Sequence, residues 1–155
     1  MRVQSMSEID EKDLKILEVL QEEGNITFVE LGKRLNMSPS TAYIRVRRLK
    51  QMGLIKKVVS IIDYQRLGFK VRAFIFIKVD PKKLEAVARE LANIENILQI
   101  QDITGEPSLL AQVIARDNEH LAQILDQIGK IDGVVSTNTM IALRTLKESY
   151  RVKLT

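Results

Sequence analysis

Between Leu31 and Ile62 the chain carries eight basic residues and no acidic one: Lys33, Arg34, Arg45, Arg47, Arg48, Lys50, Lys56 and Lys57. Four of them, Arg45, Arg47, Arg48 and Lys50, fall on one predicted helix that opens Ser38-Pro39-Ser40-Thr41. Clustered cations bind a polyphosphate because each neutralised phosphate releases condensed counterions, and an α-helix fits the width of the DNA major groove. The pattern therefore predicts binding to double-stranded DNA. Arg45 is the first candidate for a base contact, since a guanidinium donates two parallel hydrogen bonds to guanine. Ser40, Thr41 and Tyr43 are candidates for phosphates or base edges, and Arg47, Arg48, Lys50, Lys56 and Lys57 for phosphates. Ser38 and Ile44 complete the candidate DNA-binding set.

Three short helices are expected to position these residues. Ile9, Leu14, Ile16, Leu17 and Leu20 recur at near-helical spacing after Asp10, with Glu11 and Asp13 at the positive end of the helix dipole, and Gly24 closes this first helix. Thr27-Phe28-Val29-Glu30 has the form of a capping box and starts a second helix that runs to Leu35, burying Val29, Leu31 and Leu35. Ser38 caps the third, Pro39 fits its first position, and Gly53 stops it after Met52. On that helix Ala42, Val46 and Leu49 share the inward face, while Ser40, Thr41, Ile44, Arg45 and Arg48 fall largely outward. Lys56–Ile62 is β-branched and is expected to form a strand or wing. Together these predict a winged helix-turn-helix.

The second half changes pattern. Strand (Arg72–Val79), helix (Pro81–Ala92), strand (Ile97–Ile103), a turn with Gly105 and Pro107, strand (Leu109–Ala115), helix (Asp117–Ile128) and strand (Val134–Leu143) give the order βαββαβ, for which a ferredoxin-like antiparallel sheet with helices on one face is the natural solution. Ala73, Ile75, Ile77 and Val79 alternate with Arg72, Phe74, Phe76 and Lys78, so both faces of the first strand hold apolar residues. The face without helices is expected to meet another copy of the chain. The fold class is thus α+β, divided into residues 1–60 (helix-turn-helix), 61–70 (linker), 71–147 (ferredoxin-like, assembling and sensing) and 148–155 (tail).

Charge follows the same division. Residues 1–70 hold 13 basic against 9 acidic residues, whereas residues 71–155 hold 11 of each, so a polyanion is expected on the first half. No cysteine and a single histidine leave no disulfide framework, thiol nucleophile or zinc-finger spacing. That usage fits the cytoplasm, and no apolar run has the length of a membrane span. His120, beside Glu119 at the start of a helix, has the setting of a surface residue. No acid, base and nucleophile set can be assembled, and the expectation is no enzyme, no metal and no cofactor.

Ile9-Asp10, Lys12-Asp13-Leu14-Lys15-Ile16-Leu17, Leu31-Gly32-Lys33-Arg34-Leu35, Met37-Ser38-Pro39-Ser40-Thr41, Arg45-Val46, Arg48-Leu49 and Gly53-Leu54-Ile55 closely resemble the Lrp/AsnC (leucine-responsive, feast/famine) regulators. The second half resembles that family's regulatory domain, including its Thr104-Gly105 turn. The resemblance spans about residues 8–147. It implies a transcriptional regulator built as homodimers through the sheet faces, assembling further into octamers or filaments. It also implies an amino acid or related small molecule as effector, bound between dimers. Carried over by position, the effector residues are Asp102, Thr104, Gly105, Glu106 and Ser108, facing Thr137, Asn138 and Thr139. Many members have an acid where this chain has Ser108, and Glu106 is the alternative partner for a ligand ammonium. The resemblance places such a protein on the nucleoid.

Other readings stay open at the level of sequence. An architectural DNA-wrapping protein needs the same cations but little base preference. A metabolic enzyme or amino-acid-binding subunit would use the second half alone. RNA binding through the sheet needs stacking aromatics in set motifs, and Phe74 and Phe76 lack the glycine-aromatic context.

Overall fold

Hydrophobic spacing and helix caps divide the first part of the chain into α1 (Glu11–Glu22), α2 (Phe28–Leu35) and α3 (Pro39–Gln51) in the computed structural model, which describes residues 9–106 and 108–155. The residues form two units, one running to Ile61 and taking in Lys147–Thr155, the other spanning Ile62–Leu146. Pro107 lies outside the described residues. Among the described residues no helix is long and apolar enough to cross a membrane.

In the first unit Ile16, Leu31, Ala42, Val46 and Leu49 form the core, with Leu17, Leu20, Leu35, Met37 and Ile55 packed against it. The turn between α2 and α3 depends on Gly32. Its carbonyl accepts from the Met37 amide at 2.9 Å, and a Cβ at position 32 would stand 2.5 Å from the Met37 carbonyl oxygen. Asn36 closes α2 in the left-handed region, at φ 53°. The Ser38 hydroxyl then accepts from the Thr41 amide and Pro39 opens α3, as its sequence predicts.

Four local expectations change. The reciprocal capping box is on α1, where Asp10 and Asp13 each accept from the other's amide. At α2 only the Thr27 half forms, because the Glu30 carboxylate turns to Arg34. Val29 is exposed rather than buried, since the buried stripe of α2 runs through Leu31 and Gly32. Lys56–Ile62 forms no strand; Val58, Val59 and Ile61 are exposed and no neighbouring strand supplies the ladder that β structure needs.

The last residues are docked on α1. The Gln21 side-chain amide donates to the Val152 carbonyl at 3.0 Å and accepts from the Val152 amide at 2.7 Å. The Glu18 carboxylate accepts from the amides of Leu154 and Thr155, and Arg151 pairs with Glu22. The Leu154 amide is the main reason the Glu18 carboxyl titrates below its ordinary value.

The second unit holds β1 (Val71–Val79), α4 (Leu84–Ala92) after a short 3-10 turn, β2 (Ile97–Asp102), β3 (Leu109–Ala115), α5 (Asn118–Gly129) and β4 (Val134–Ile141). The sheet is antiparallel in the order β2-β3-β1-β4, the ferredoxin-like arrangement. Ala73, Ile75, Ile77 and Val79 of β1, with Leu109, Ala111 and Val113 of β3, are buried beneath Val87 and Leu91 of α4 and Leu121, Ile124 and Ile128 of α5. Phe74 and Phe76 stand half-buried on the opposite face.

Candidate functional site

Burial of Ala42, Val46 and Leu49 fixes the rotation of α3 about its axis. Opposite them, Ser40, Ile44, Arg47 and Arg48 face outward, all exposed. Tyr43 lies on the flank beside α2, where its ring meets Phe28 edge-on at 5.3 Å. Thr41 is exposed, but its hydroxyl lies 2.8 Å from the Ser38 hydroxyl, and Ser38 is committed to the cap.

Arg45 lies on the other flank, toward α1. Its Nη1 donates to both Asp10 oxygens, at 2.9 and 2.8 Å, and to Asp13 Oδ1 at 2.9 Å. Asp13 is fully buried and also accepts from Arg48. An ionised carboxylate survives in such a place only when paired and hydrogen-bonded, and two guanidiniums with the Asp10 amide supply that. The Asp10 carboxyl is held below its usual value, first by the Asp13 amide and then by Arg45, and Arg45 is raised above its already high value by the same carboxylates, Asp10 first. Arg45, the first candidate for a base contact, thus ties α3 to the cap and first turn of α1.

The acid-free stretch is not acid-free in space. Arg34 pairs with Glu23 and Glu30, and Arg45 and Arg48 pair with the carboxylates of α1 and its cap. Lys33, Arg47, Lys50, Lys56 and Lys57 are exposed and make no ion pair among the described residues. These five carry the excess positive charge. Arg48, still 45% exposed at its side chain, sits between the two groups.

In the second unit the turn from β2 to β3 carries Asp102, Thr104, Gly105 and Glu106, all exposed, followed by half-buried Ser108. Gly105 takes a φ of 90°, which a side chain would strain. The Ile103 amide donates to the Ser108 carbonyl at 2.8 Å, and Glu106 pairs with Lys78 of β1 at 3.1 Å. Thr137, Asn138 and Thr139 pair with Ile77, Phe76 and Ile75 of β1. They therefore lie at the same end of the sheet as the turn but beyond β1, about two strand spacings or ~10 Å from β3. Asn138 shares the open face with Phe76, whereas Thr137 and Thr139 share the helix-covered face. One chain does not bring the two halves of the expected pocket together.

Comparison with known proteins decides what these two units are. The winged helix-turn-helix DNA-binding family matches residues 9–56, and the Lrp/AsnC ligand binding domain family matches residues 72–152. Over 141 residues the chain is 38% identical to the HTH-type transcriptional regulator FL11 of Pyrococcus horikoshii, an alignment that covers 91% of this chain and 93% of that one. The chain belongs to the Lrp/AsnC family.

Two solved structures extend the likeness over nearly the whole chain. E. coli AsnC superposes with a TM-score of 0.86 at 28% identity, covering 94% of this chain and 98% of its own. A Neisseria meningitidis transcriptional regulator, solved as a complex with L-Met, superposes at 0.88 and 26% identity, covering 93% and 96%. This Lrp/AsnC protein is accordingly a transcriptional regulator with a helix-turn-helix DNA-binding domain and a ligand-binding domain. The buried Asp13 cluster is the feature sequence reading of this regulator missed. An acid at the first turn of a helix reads as a solvated partner of the helix dipole, and only the pairing of α1 with α3 shows otherwise. His120 accepts from the Arg116 amide through Nδ1 at 3.2 Å, so it orders the start of α5. Among the described residues no three His, Cys, Asp or Glu side chains are grouped to hold a metal ion.

Proposed function

We propose that this regulator binds duplex DNA sequence-specifically through the outward face of α3, as an oligomer whose second unit joins copies and senses an amino acid or related small molecule. The observation that carries the reading is the pairing pattern of the cations. Acids of the same unit occupy Arg34, Arg45 and Arg48, while Arg47, Lys50, Lys56 and Lys57 remain exposed beside an α3 face that carries Ser40 and Ile44. Unpaired cations hold phosphates, and the outward α3 face supplies the base contacts.

The half-buried Phe74 and Phe76 on the uncovered sheet face support dimer formation there, with octamers as the larger assembly. The separation of the Gly105 turn from Asn138 by β1 supports an effector site completed by another copy. L-methionine is the first effector to try, because the Neisseria relative was solved with it. The protein acts by binding, without catalysis, and works on the nucleoid in the cytoplasm.

The test is a competition between a duplex selected from a random pool and unselected duplex, at physiological salt, with and without L-methionine. The expected preference for the selected duplex is about a thousandfold or more. A ratio near one would replace the regulator with an architectural protein that coats DNA. An unchanged ratio and unchanged assembly size with L-methionine would remove that amino acid as effector.

A further inference from the structure

Ile44 is unexplained by the fold. It stands in the middle of the outward face of α3, 64% exposed, with Ser40 one turn before it and Arg47 and Arg48 one turn after. A β-branched side chain is a mediocre helix former and here leaves most of its surface in water. Solvent would favour a polar residue at this position.

Its surroundings say what covers it. Arg47 and Lys50 carry unpaired positive charge on the same helix, so the partner is a polyanion. Of the guanidiniums on α3, Arg45 is turned away into Asp10 and Asp13, Arg48 is paired with Asp13, and Arg47 is the one read as holding phosphate. What the outward face of α3 offers ahead of Arg47 and Lys50 is therefore a small apolar knob beside a hydroxyl. Within the major groove one base edge is apolar, the C5-methyl of thymine.

We infer that Ile44 is a specificity-determining residue, packing against a thymine C5-methyl and selecting an A·T pair at that position of each half-site. The inference rests on the reading of α3 as the base-contacting helix, and it assigns to Ile44 what sequence alone assigns to Arg45. Removing one methyl from a packed contact weakens binding by about fourfold.

The test uses the full chain and a duplex selected from a random pool. Each thymine is replaced in turn by deoxyuridine, which keeps base pairing and removes only the methyl. Wild type is expected to lose about fourfold at one position in each half-site. Ile44→Ala is expected to bind the thymine duplex about as weakly as wild type binds the uracil one, and to be indifferent to uracil there. Ile44 is exposed, so the variant should melt with wild type; the uracil series on wild type needs no variant at all. If the selected duplex is preferred over random DNA but no uracil position weakens wild type, or if Ile44→Ala keeps full uracil sensitivity, the inference fails and base reading by α3 stands. If wild type shows no preference for the selected duplex, base reading fails and the inference with it.

Discussion

Asp13→Ala is expected to destabilise the helix-turn-helix unit by roughly 2–4 kcal/mol, a fall of about 10–20 °C in its thermal midpoint. The carboxylate is fully buried and accepts from Arg45, Arg48 and the Asp10 amide, so its removal takes a partner from three donors at once, of which Arg45 keeps Asp10. Breaking a fully buried pair costs about 3–5 kcal/mol. The lower range applies here because Arg45 and Arg48 keep 24% and 45% of their side-chain exposure and can turn to water. Replacing Asp13 and Arg45 together by leucine should recover much of the loss, since no buried charge is then left alone. Arg45→Ala should lower stability by less than Asp13→Ala and keep the ranking of DNA sequences. A melt of Asp13→Ala within a degree or two of wild type would remove the ion cluster from this account.

The second large effect is on affinity. Arg47→Ala combined with Lys50→Ala is expected to weaken binding to every duplex by about 50–100-fold per bound chain at 0.1 M salt. Each lost phosphate contact lowers the slope of log K against log salt by about 0.9, which at that concentration is nearly tenfold. Both residues are exposed and without an ion pair among the described residues, so the double change breaks no ion pair there. Uniform loss with an unchanged preference for selected over random duplex is the signature of phosphate contacts. A collapse of that preference with little change in salt slope would mean that Arg47 or Lys50 reads bases.

Local chemistry explains what the sequence made legible. The start of α3 was readable because Ser38, Pro39 and Gly53 act on their own neighbours, and βαββαβ was readable because alternation and turns are local signals. The Lys56–Ile62 strand failed for a matching reason: β-branched composition states that a segment fits a sheet, not that a partner strand is present. Asp13 was out of reach because its guanidinium partners lie 32 and 35 residues away in sequence. Glu23 and Glu30 likewise lie just outside the basic run and fold back onto Arg34. Counting charge along a chain therefore overstated the free cations in the patch. The effector residues lie apart in one chain because the ferredoxin-like sheet order sets β1 between β3 and β4.

The central claim, that the outward face of α3 lies in the major groove, can be tested by where it cuts DNA. The chain has no cysteine, so Ser40→Cys supplies a single thiol for an iron chelate that cleaves nearby deoxyribose. The account predicts cuts confined to a few base pairs in each half-site of a selected duplex from position 40, and none from the same chelate on Asp126→Cys, on the exposed side of α5. Focused cleavage from position 126 with none from position 40 would contradict it.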